Sequence, residues 1–234
     1  MKITGINYIL TDIEGTTTSV SFVYDTLFPY FRKNIGLLKA MLDNQVVQHA
    51  FKQTVELSLS LENKKLNTVD DIINTLYRWS KEDRKLTPLK TLQGIIWKNG
   101  YESGAIKGHV YDEVKDCLNK WKDERIALGV FSSGSIEAQK LLFGFSDYGD
   151  LTKFFSNYFD TNTGGKREST TYERIAETLE ITPNSILFLS DIKEELLAAK
   201  DAGMQTVQLL RESKTAEWEN AVHNFNEIKI DKEK

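Results

Sequence analysis

The sequence predicts an α/β protein with a doubly wound parallel sheet, helices on both faces, and a helical segment inserted near its start. Short apolar runs typical of strands alternate with amphipathic runs typical of helices, which is the pattern of a parallel sheet. The interval Ser19–Lys107 breaks this alternation, because its apolar residues recur at helical spacing and no strand is evident. We therefore predict a core domain of residues 1–18 and 108–234, with a helical cap domain over residues 19–107.

The predicted core contains strands separated by helices. The strands lie at Gly5–Leu10, Arg125–Phe131, Ser185–Leu189 and about Gln205–Leu210. The helices lie at about Ile136–Phe143, Ser169–Leu179 and Lys193–Ala202. Parallel neighbours need crossover connections, and helices of this kind supply them.

Composition and charge exclude several classes of protein. The chain has 234 residues, 40% hydrophobic and 27% charged, which is enough to bury a core. Its net charge of −4 argues against nucleic acid and acidic membrane surfaces as partners. No apolar run approaches the roughly 20 residues of a membrane-spanning helix, and the start of the chain is unlike a signal peptide.

These features predict a soluble cytoplasmic protein, with the nucleus as an alternative in a eukaryote. The single cysteine, Cys117, cannot form an intramolecular disulfide, which fits a reducing compartment. We expect a monomer, because no long exposed apolar stripe is evident in the sequence.

Polar side chains stand where the predicted strands end, and one lysine lies in a glycine-rich loop before a helix. They are Asp12, Glu14, Ser132, Ser133, Lys166 and Asp191. Ligands of open parallel sheets bind beyond the carboxyl ends of the strands, so we expect these residues to form one site. Taken singly, each is most often a helix cap, a turn former or a solvated side chain. Their joint order along the chain is what favours a site.

This set of side chains suits phosphoryl transfer. Asp12 and Asp191 can hold Mg²⁺, which prefers hard oxygen ligands. A carboxylate such as Asp12 can attack phosphorus to form an aspartyl-phosphate. Hydroxyl groups, backbone N–H groups and Lys166 can bind the phosphoryl oxygens. Glu14 can protonate the leaving oxygen and later activate water.

The same residues, in the same order, resemble the four motifs of the haloacid dehalogenase superfamily. The motifs are Asp12-x-Glu14-Gly15-Thr16-Thr17, Ser132-Ser133-Gly134, Lys166 and Ser190-Asp191. Within that superfamily, longer segments resemble the enolase-phosphatases of methionine salvage. These segments are DIEGTTT, DRKLTPLKTLQGIIW, FSSGSIEAQKLLFG, FDTNTGGKREST and ILFLSDIKEELLAAKDAG, so that the likeness spans nearly the whole chain.

The resemblance of DIEGTTT and the other segments to the enolase-phosphatases implies a specific reaction. Enolase-phosphatases enolise 2,3-diketo-5-methylthiopentyl-1-phosphate and remove its phosphate, giving the acireductone 1,2-dihydroxy-3-keto-5-methylthiopentene. By position, Asp12 is implied to be the nucleophile and a ligand of Mg²⁺, and Asp191 a second ligand. Glu14 is implied to offer its carbonyl oxygen to the metal and its side chain as acid and base. Ser132, Ser133 and Lys166 are implied to bind the substrate.

Two positions depart from the family pattern and bear on substrate fit. Gly165 stands where a histidine often precedes the motif lysine. The segment Arg211-Glu212-Ser213-Lys214 stands where the family usually has an arginine turn that contains Pro and Gly. The residue that abstracts the proton in enolisation is also open, with Glu14 the first candidate and a cap residue the second. Phe22 and Trp97 of the cap are candidates for contact with the thioether tail.

Glu194 and Glu195, which follow Asp191, have two interpretations. They can orient metal-bound water or Lys166, or they can favour the N-terminus of the following helix through its dipole. We favour the second interpretation for both residues.

Three other functions compete with the enolase-phosphatase hypothesis. Another magnesium-dependent phosphatase of the superfamily, acting on a sugar or nucleotide phosphate, would differ mainly in the cap. A dehalogenase needs neither Glu14 nor a metal-binding Asp191. A scaffold that lost catalysis should lack at least one of Asp12, Lys166 and Asp191, and all three are present.

Overall fold

The computed structural model describes residues 1–211 and 215–231, and these form two compact units. The first unit contains Met1–Val20 and the described residues from Lys107 onward, and the second is Ser21–Ile106. Of the segment Arg211–Lys214, only Arg211 lies among the described residues. No helix in residues 1–211 and 215–231 is long and apolar enough to cross a membrane.

The first unit is built on a parallel sheet of six strands. In chain order its strands are β2 (Tyr8–Thr11), β3 (Ala127–Phe131), β4 (Asn157–Phe159), β5 (Ile186–Ser190), β6 (Gln205–Leu209) and β7 (Ala221–Val222). A separate parallel pair joins β1 (Lys2–Thr4) to β8 (Lys229–Asp231). The α-amino group of Met1 donates to the carbonyl oxygen of Glu227 at 2.6 Å beside this pair.

The spatial order of the six strands is β4-β3-β2-β5-β6-β7, which makes β2 a central strand. The chain runs from β2 outward to β4 on one side, then returns to β5 and runs outward on the other side. At the end of β2, Thr11 pairs with Val130 of β3 and with Leu189 of β5. The strand order therefore reverses at β2, and a crevice beyond the carboxyl end of this strand is the expected ligand site.

The helices of the first unit are α5 (Val114–Asp123), α6 (Ile136–Gly144), α7 (Ser169–Leu179) and α8 (Lys193–Asp201). Helix α5 packs on β3 and α6 on β4, whereas α8 packs on β5 and β6 with α7 beside it. Because crossovers between parallel strands are right-handed, reversing the direction of winding places the two pairs of helices on opposite faces. The doubly wound fold class predicted from the sequence is confirmed.

The core of this sheet comes from strand and helix residues that are apolar on their inward sides. Tyr8, Leu10, Phe131 and Phe188 lie on the strands, and Leu196 of α8 packs with them, all at most 1% exposed. Every residue of β2 and β5 is buried, as expected for central strands of a sheet covered on both faces. Both strands end in this rigid core, so the polar residues that follow them are held firmly.

The second unit, Ser21–Ile106, is helical throughout. It opens with a π-helical segment at Phe22–Leu27 and a 3₁₀ segment follows the first helix at Ile35–Met41. Its α-helices are α1 (Phe28–Asn34), α2 (Gln45–Glu62), α3 (Val69–Lys81) and α4 (Thr87–Glu102). They enclose their own apolar core, which includes Phe31, Leu38, Leu76, Trp79 and Leu92.

Candidate active site

The chain turns sharply after β2, and this turn presents Asp12 at the reversal point of the sheet. The amide groups of Thr16, Thr17 and Thr18 all donate to the carbonyl oxygen of Ile13, at 3.1, 2.9 and 3.0 Å. The amide of Ile13 donates in turn to Oδ1 of Asp12 at 2.7 Å. The loop of residues 12–18, here called the nucleophile loop after the role proposed below for Asp12, is therefore one hydrogen-bonded unit that fixes the Asp12 side chain.

Lys166 reaches Asp12 from the loop before α7. Its Nζ lies 2.7 Å from Oδ1 of Asp12 and 2.7 Å from Oε2 of Glu195. The hydroxyl of Tyr172 donates to the carbonyl oxygen of Lys166 at 2.7 Å and so anchors the lysine backbone. Asp12 is 3% exposed and Lys166 8% exposed, so this is a buried ion pair rather than a surface contact. In a buried ion pair, each charge needs further hydrogen-bond or charged partners. Glu195 is the second such partner of Lys166.

Glu195 is a member of the site that the sequence interpretation placed wrongly. We favoured an interaction of Glu194 and Glu195 with the helix N-terminus, but Glu195 binds Lys166 and also accepts a hydrogen bond of 2.9 Å from Oγ of Ser190. Glu194 is exposed, in contrast. Glu195 thus takes the alternative role of orienting Lys166, because it lies on the buried side of α8.

The serine loop after β3 meets the nucleophile loop. Oγ of Ser132 lies 3.4 Å from Oε2 of Glu14 and accepts the amide of Gly134 at 3.1 Å. Ser132 is buried, whereas the neighbouring Ser133 is exposed at the same strand end. Gln139 braces this loop by donating to the carbonyl oxygens of Gly134 and Phe159, at 2.9 and 2.8 Å. Ser132 and Glu14 are therefore brought together.

Asp191 follows β5 and lies against the nucleophile loop. Its side chain is so close to Gly15 that a Cβ atom on Gly15 would overlap the Asp191 carboxylate. Gly15 also has a φ angle of +71°, which glycine adopts without strain. On the other side, Nε2 of Gln208 in β6 donates to the carbonyl oxygen of Asp191 at 3.1 Å. The turn at Gly15 thus brings Asp191 beside the nucleophile loop.

The protonation of the central pair follows from burial and from the neighbouring charges. Burial raises the pKa of Asp12 well above its usual range, with Lys166 opposing the rise and Glu195 and Glu14 adding to it. Burial tends to lower the pKa of Lys166, but the adjacent charges of Asp12 and Glu195 outweigh it and raise the pKa. Lys166 therefore stays an ammonium and provides fixed positive charge beside Asp12.

The charges of the site suit a divalent cation. The ammonium of Lys166 contacts the acidic side chains of Asp12 and Glu195, and two further acids, Glu14 and Asp191, lie on or against the nucleophile loop. A phosphate ester brings further negative charge, which this excess of carboxylates would repel unless a cation balanced it. Within residues 1–211 and 215–231 no three His, Cys, Asp or Glu side chains form a metal cage. Beside a phosphate, however, Mg²⁺ usually takes only one or two carboxylates, together with waters and phosphate oxygens.

Other candidates lie away from this site or have structural partners. His49 is exposed, Nδ1 of His109 lies 2.9 Å from Oγ1 of Thr18, and His223 contacts the carbonyl oxygen of Leu210 at 3.2 Å. Cys117 is buried on α5. Of these, His109 contacts the nucleophile loop through Thr18.

The cap candidates Phe22 and Trp97 both lie in the second unit. Phe22 is buried, and the indole N–H of Trp97 donates to the carbonyl oxygen of Leu27 at 2.8 Å. The indole ring of Trp97 also stacks on Phe28, with ring centroids 6.3 Å apart. Contact of either residue with a thioether stays a prediction.

Comparison with known proteins agrees with this geometry. A family profile for haloacid dehalogenase-like hydrolases matches residues 6–203. A protein of Picosynechococcus named enolase-phosphatase E1 is 49% identical over 211 residues, which cover 90% of this chain and 92% of that protein. A protein of the same name from Pseudomonas aeruginosa is 46% identical over 230 residues, covering 97% and 99% of the two chains.

Solved structures show the same architecture. The crystal structure of the UTR4 protein of Saccharomyces cerevisiae has a TM-score of 0.77 at 31% identity, covering 94% of this chain and 99% of that one. CbbY of Rhodobacter sphaeroides, solved with phosphate, has a TM-score of 0.59 at 17% identity and covers 95% and 96% of the two chains, which shows the shared fold alone. The chain therefore belongs to the haloacid dehalogenase-like hydrolases and, within them, to the family of the enolase-phosphatase E1 proteins.

Proposed function

We propose that this protein is a magnesium-dependent enolase-phosphatase that converts the diketo-phosphate of methionine salvage into its acireductone and inorganic phosphate. The observation that carries the phosphatase half is the buried Asp12 at the reversal point of the sheet, held by Lys166 at 2.7 Å. The name shared by relatives that are 46–49% identical over most of the chain supports the choice of substrate.

Asp12 acts as the nucleophile in the proposed reaction. Its Oδ1 is engaged by Lys166 and by the amide of Ile13, so Oδ2 is the oxygen available to attack phosphorus. The phosphorus–ester oxygen bond breaks as the Asp12 oxygen–phosphorus bond forms, which leaves a phosphoryl group on the carboxylate. Water then attacks that phosphoryl group, and the Asp12 carboxylate and inorganic phosphate are released.

Lys166, Ser132 and Ser133 bind the substrate in this proposal. The Lys166 ammonium is fixed between Asp12 and Glu195, so it meets the phosphoryl oxygens without moving during the reaction. Ser132 offers a hydroxyl from the neighbouring strand end, and its amide neighbour Gly134 is tied to that hydroxyl at 3.1 Å. Rigid donors of this kind stabilise the transition state because they need no reorganisation.

Glu14 is the acid and base of the proposed reaction. Its side chain is partly exposed and lies within 3.4 Å of the Ser132 hydroxyl, unlike the buried pair of Asp12 and Lys166. As an acid it protonates the leaving oxygen, and as a base it takes a proton from the attacking water. Glu14 is also our first candidate for removing the carbon-bound proton in enolisation, with a residue of the second unit as the alternative.

The residues that would hold Mg²⁺ are Asp12, Asp191 and the carbonyl oxygen of Glu14. The overlap that a Cβ atom on Gly15 would make with Asp191 supports this set, because it keeps the second acid beside the loop that carries the other two donors. When bound, the cation supplies charge neutralisation for the phosphate and polarises the carbonyl next to the carbon that loses its proton.

The second unit, Ser21–Ile106, serves as the cap domain in this proposal, and its residues would select the substrate. A different phosphatase of the same superfamily, acting on a sugar or nucleotide phosphate, remains the second candidate because the first unit alone supports general phosphatase chemistry. The proposal also includes a cytoplasmic monomer, whose mass in solution can be measured by light scattering.

Asp12→Asn tests the nucleophile directly. The change keeps the shape of the side chain but removes the attacking carboxylate, so we expect phosphate release to fall by at least about 10³-fold. Asp160→Asn is the matched control, because Asp160 is also a buried acid after a strand of the same sheet but bonds to Asn162 in its own loop, at 2.9 Å to the amide. Activity that survives Asp12→Asn, or falls equally in both variants, would refute the assignment.

A further inference from the structure

Arg211, the second residue after β6, is a buried arginine that the proposed reaction does not use. Its side chain is 5% exposed, although it carries a charge at the edge of the sheet. Nη1 lies 2.5 Å from Oε1 of Glu113, just before α5. The guanidinium carbon lies 4.1 Å from the ring centroid of Tyr111 and 5.1 Å from that of Phe225. Both the charge and the faces of the guanidinium are therefore fixed.

The remaining donors of Arg211 bind the nucleophile loop. Nε and Nη2 both donate to the carbonyl oxygen of Thr16, at 2.8 and 2.6 Å. The next carbonyl oxygen of the loop, that of Thr17, accepts a hydrogen bond of 3.1 Å from the amide of Tyr111. Tyr111 is also the residue whose ring stacks against the guanidinium. Arg211, Glu113 and Tyr111, here called the loop clamp, thus hold two successive carbonyl groups of the nucleophile loop from outside.

The loop clamp is linked to Asp12 through the internal hydrogen bonds of the loop. The amides of Thr16 and Thr17 donate to the carbonyl oxygen of Ile13, and the amide of Ile13 donates to the Asp12 carboxylate. Oγ1 of Thr17 also lies 3.3 Å from the carbonyl oxygen of Asp12. A displacement of Thr16 therefore passes through one hydrogen-bonded unit to the attacking carboxylate, while Arg211 itself touches neither Asp12 nor Lys166.

We propose that Arg211 is a positioning residue for phosphoryl transfer, which fixes the Asp12 carboxylate through the carbonyl oxygen of Thr16. This inference rests on the proposed role of Asp12 as nucleophile. Its basis is geometric, since a planar guanidinium can chelate one carbonyl, pair with a carboxylate and stack on a ring at the same time. The ammonium of a lysine can make at most part of this set.

The test compares Arg211→Met and Arg211→Lys with the control Arg78→Met. Arg78 is also an ion-paired arginine, but it pairs with Glu62 and Glu82 inside the second unit. Arg211→Lys keeps a charge opposite Glu113, so it provides a folded variant if Arg211→Met is unstable. Two measurements are made on each protein. The kinetics of phosphate release give kcat and KM, and hydrogen exchange is followed at the amides of the nucleophile loop.

We expect kcat of Arg211→Met to fall about 10- to 100-fold, because misplacing a reacting group by about 1 Å has an effect of this size. KM should change less than about threefold, since Arg211 binds Thr16, Glu113 and Tyr111, none of which is proposed to bind substrate. In Arg211→Met, hydrogen exchange at the amides of Thr16, Thr17 and Thr18 should accelerate. Arg211→Lys should fall between the wild type and Arg211→Met. Arg78→Met should match the wild type in both the kinetics and the exchange.

Three results would overturn the inference. Loop exchange in Arg211→Met equal to that in Arg78→Met would show that the clamp does not order the loop. Faster exchange with unchanged kcat would show that the loop clamp is structural only. A fall in kcat without faster exchange would show that Arg211 acts by another route. If the wild type releases no phosphate, the proposed function fails, whereas the exchange measurement still decides whether Arg211 orders the loop.

Discussion

Gly15→Ala should separate the cost of folding from the cost to the active site. Gly15 has a φ angle of +71°, where an alanine is strained by about 1–2 kcal/mol. A Cβ atom there would also overlap the carboxylate of Asp191. The overlap is with side-chain atoms of Asp191 rather than with backbone, so the carboxylate is the group that must move. The added methyl group therefore moves a proposed metal ligand while the rest of the fold stays intact.

The expected magnitudes follow from these two effects. The backbone strain should lower the free energy of unfolding by about 1–2 kcal/mol, and each kcal/mol shifts Tm by about 2–4 °C in chains of this size. Moving Asp191 should weaken the apparent affinity for Mg²⁺ by about a hundredfold, since disturbing even the groups that orient metal ligands lowers affinity 10- to 100-fold. Phosphatase activity at low magnesium should fall by a similar factor.

Gly149→Ala provides the matched control. Gly149 has a φ angle of +79°, but a Cβ atom there would meet nothing within 4 Å. Both variants should lose similar stability in calorimetry, and only Gly15→Ala should need more magnesium in a phosphate-release assay. If the two variants show the same magnesium dependence and kcat, Asp191 does not hold the metal in the proposed way.

Three further predictions concern the lysine partner, the cysteine and the second unit. Glu195→Gln keeps the shape of the side chain but weakens its bond to Lys166. It should lower kcat about tenfold, because a charge-assisted hydrogen bond of about 1.5 kcal/mol is lost. An unchanged kcat would contradict the role of Glu195 in orienting Lys166. Burial raises the pKa of the Cys117 thiol to about 11. The folded protein should therefore react with iodoacetamide at mildly alkaline pH far more slowly than the unfolded protein. Equal rates would contradict this prediction. Glu62→Gln should lower stability by about 1 kcal/mol near neutral pH. Because Arg78 holds the pKa of Glu62 below its usual value, this difference should vanish as the pH falls through that lowered pKa, and urea unfolding at several pH values would measure it.

The strand ends were the most predictable feature of the sequence. Buried runs such as Ile186–Ser190 stand out because central parallel strands are apolar on both faces. The polar residue that follows each run then marks the carboxyl edge of the sheet. This pattern identifies Asp12, Ser132 and Asp191. In the structure they follow β2, β3 and β5, respectively.

Short strands were not predictable from the same signal. The strands β1, β4 and β8 have three residues each and β7 has two, too few for an alternating or apolar pattern to stand out. The predicted first strand, Gly5–Leu10, also began too early. The φ angle of Gly5 is +73°, which interrupts extended backbone, and the strand β2 starts only at Tyr8.

The buried position of Glu195 is predictable from helical spacing alone. Glu195 lies three and four residues before Ala198 and Ala199, which are buried on α8, so helical spacing places all three on one face. A glutamate on a buried face requires a partner, whereas the exposed Glu194 does not. Arg211 is different, because its partners Thr16 and Glu113 are 195 and 98 residues away and no local pattern connects them.

The central claim is that Asp12 and its neighbours carry out both enolisation and phosphate removal on one substrate. The most direct measurement supplies the diketo-phosphate with Mg²⁺ or with EDTA, and follows phosphate release together with the ultraviolet absorbance of the acireductone. We predict that both signals appear with Mg²⁺ and that both vanish with EDTA. Phosphate release from other esters alone, with no acireductone from the diketo-phosphate, would contradict the claim.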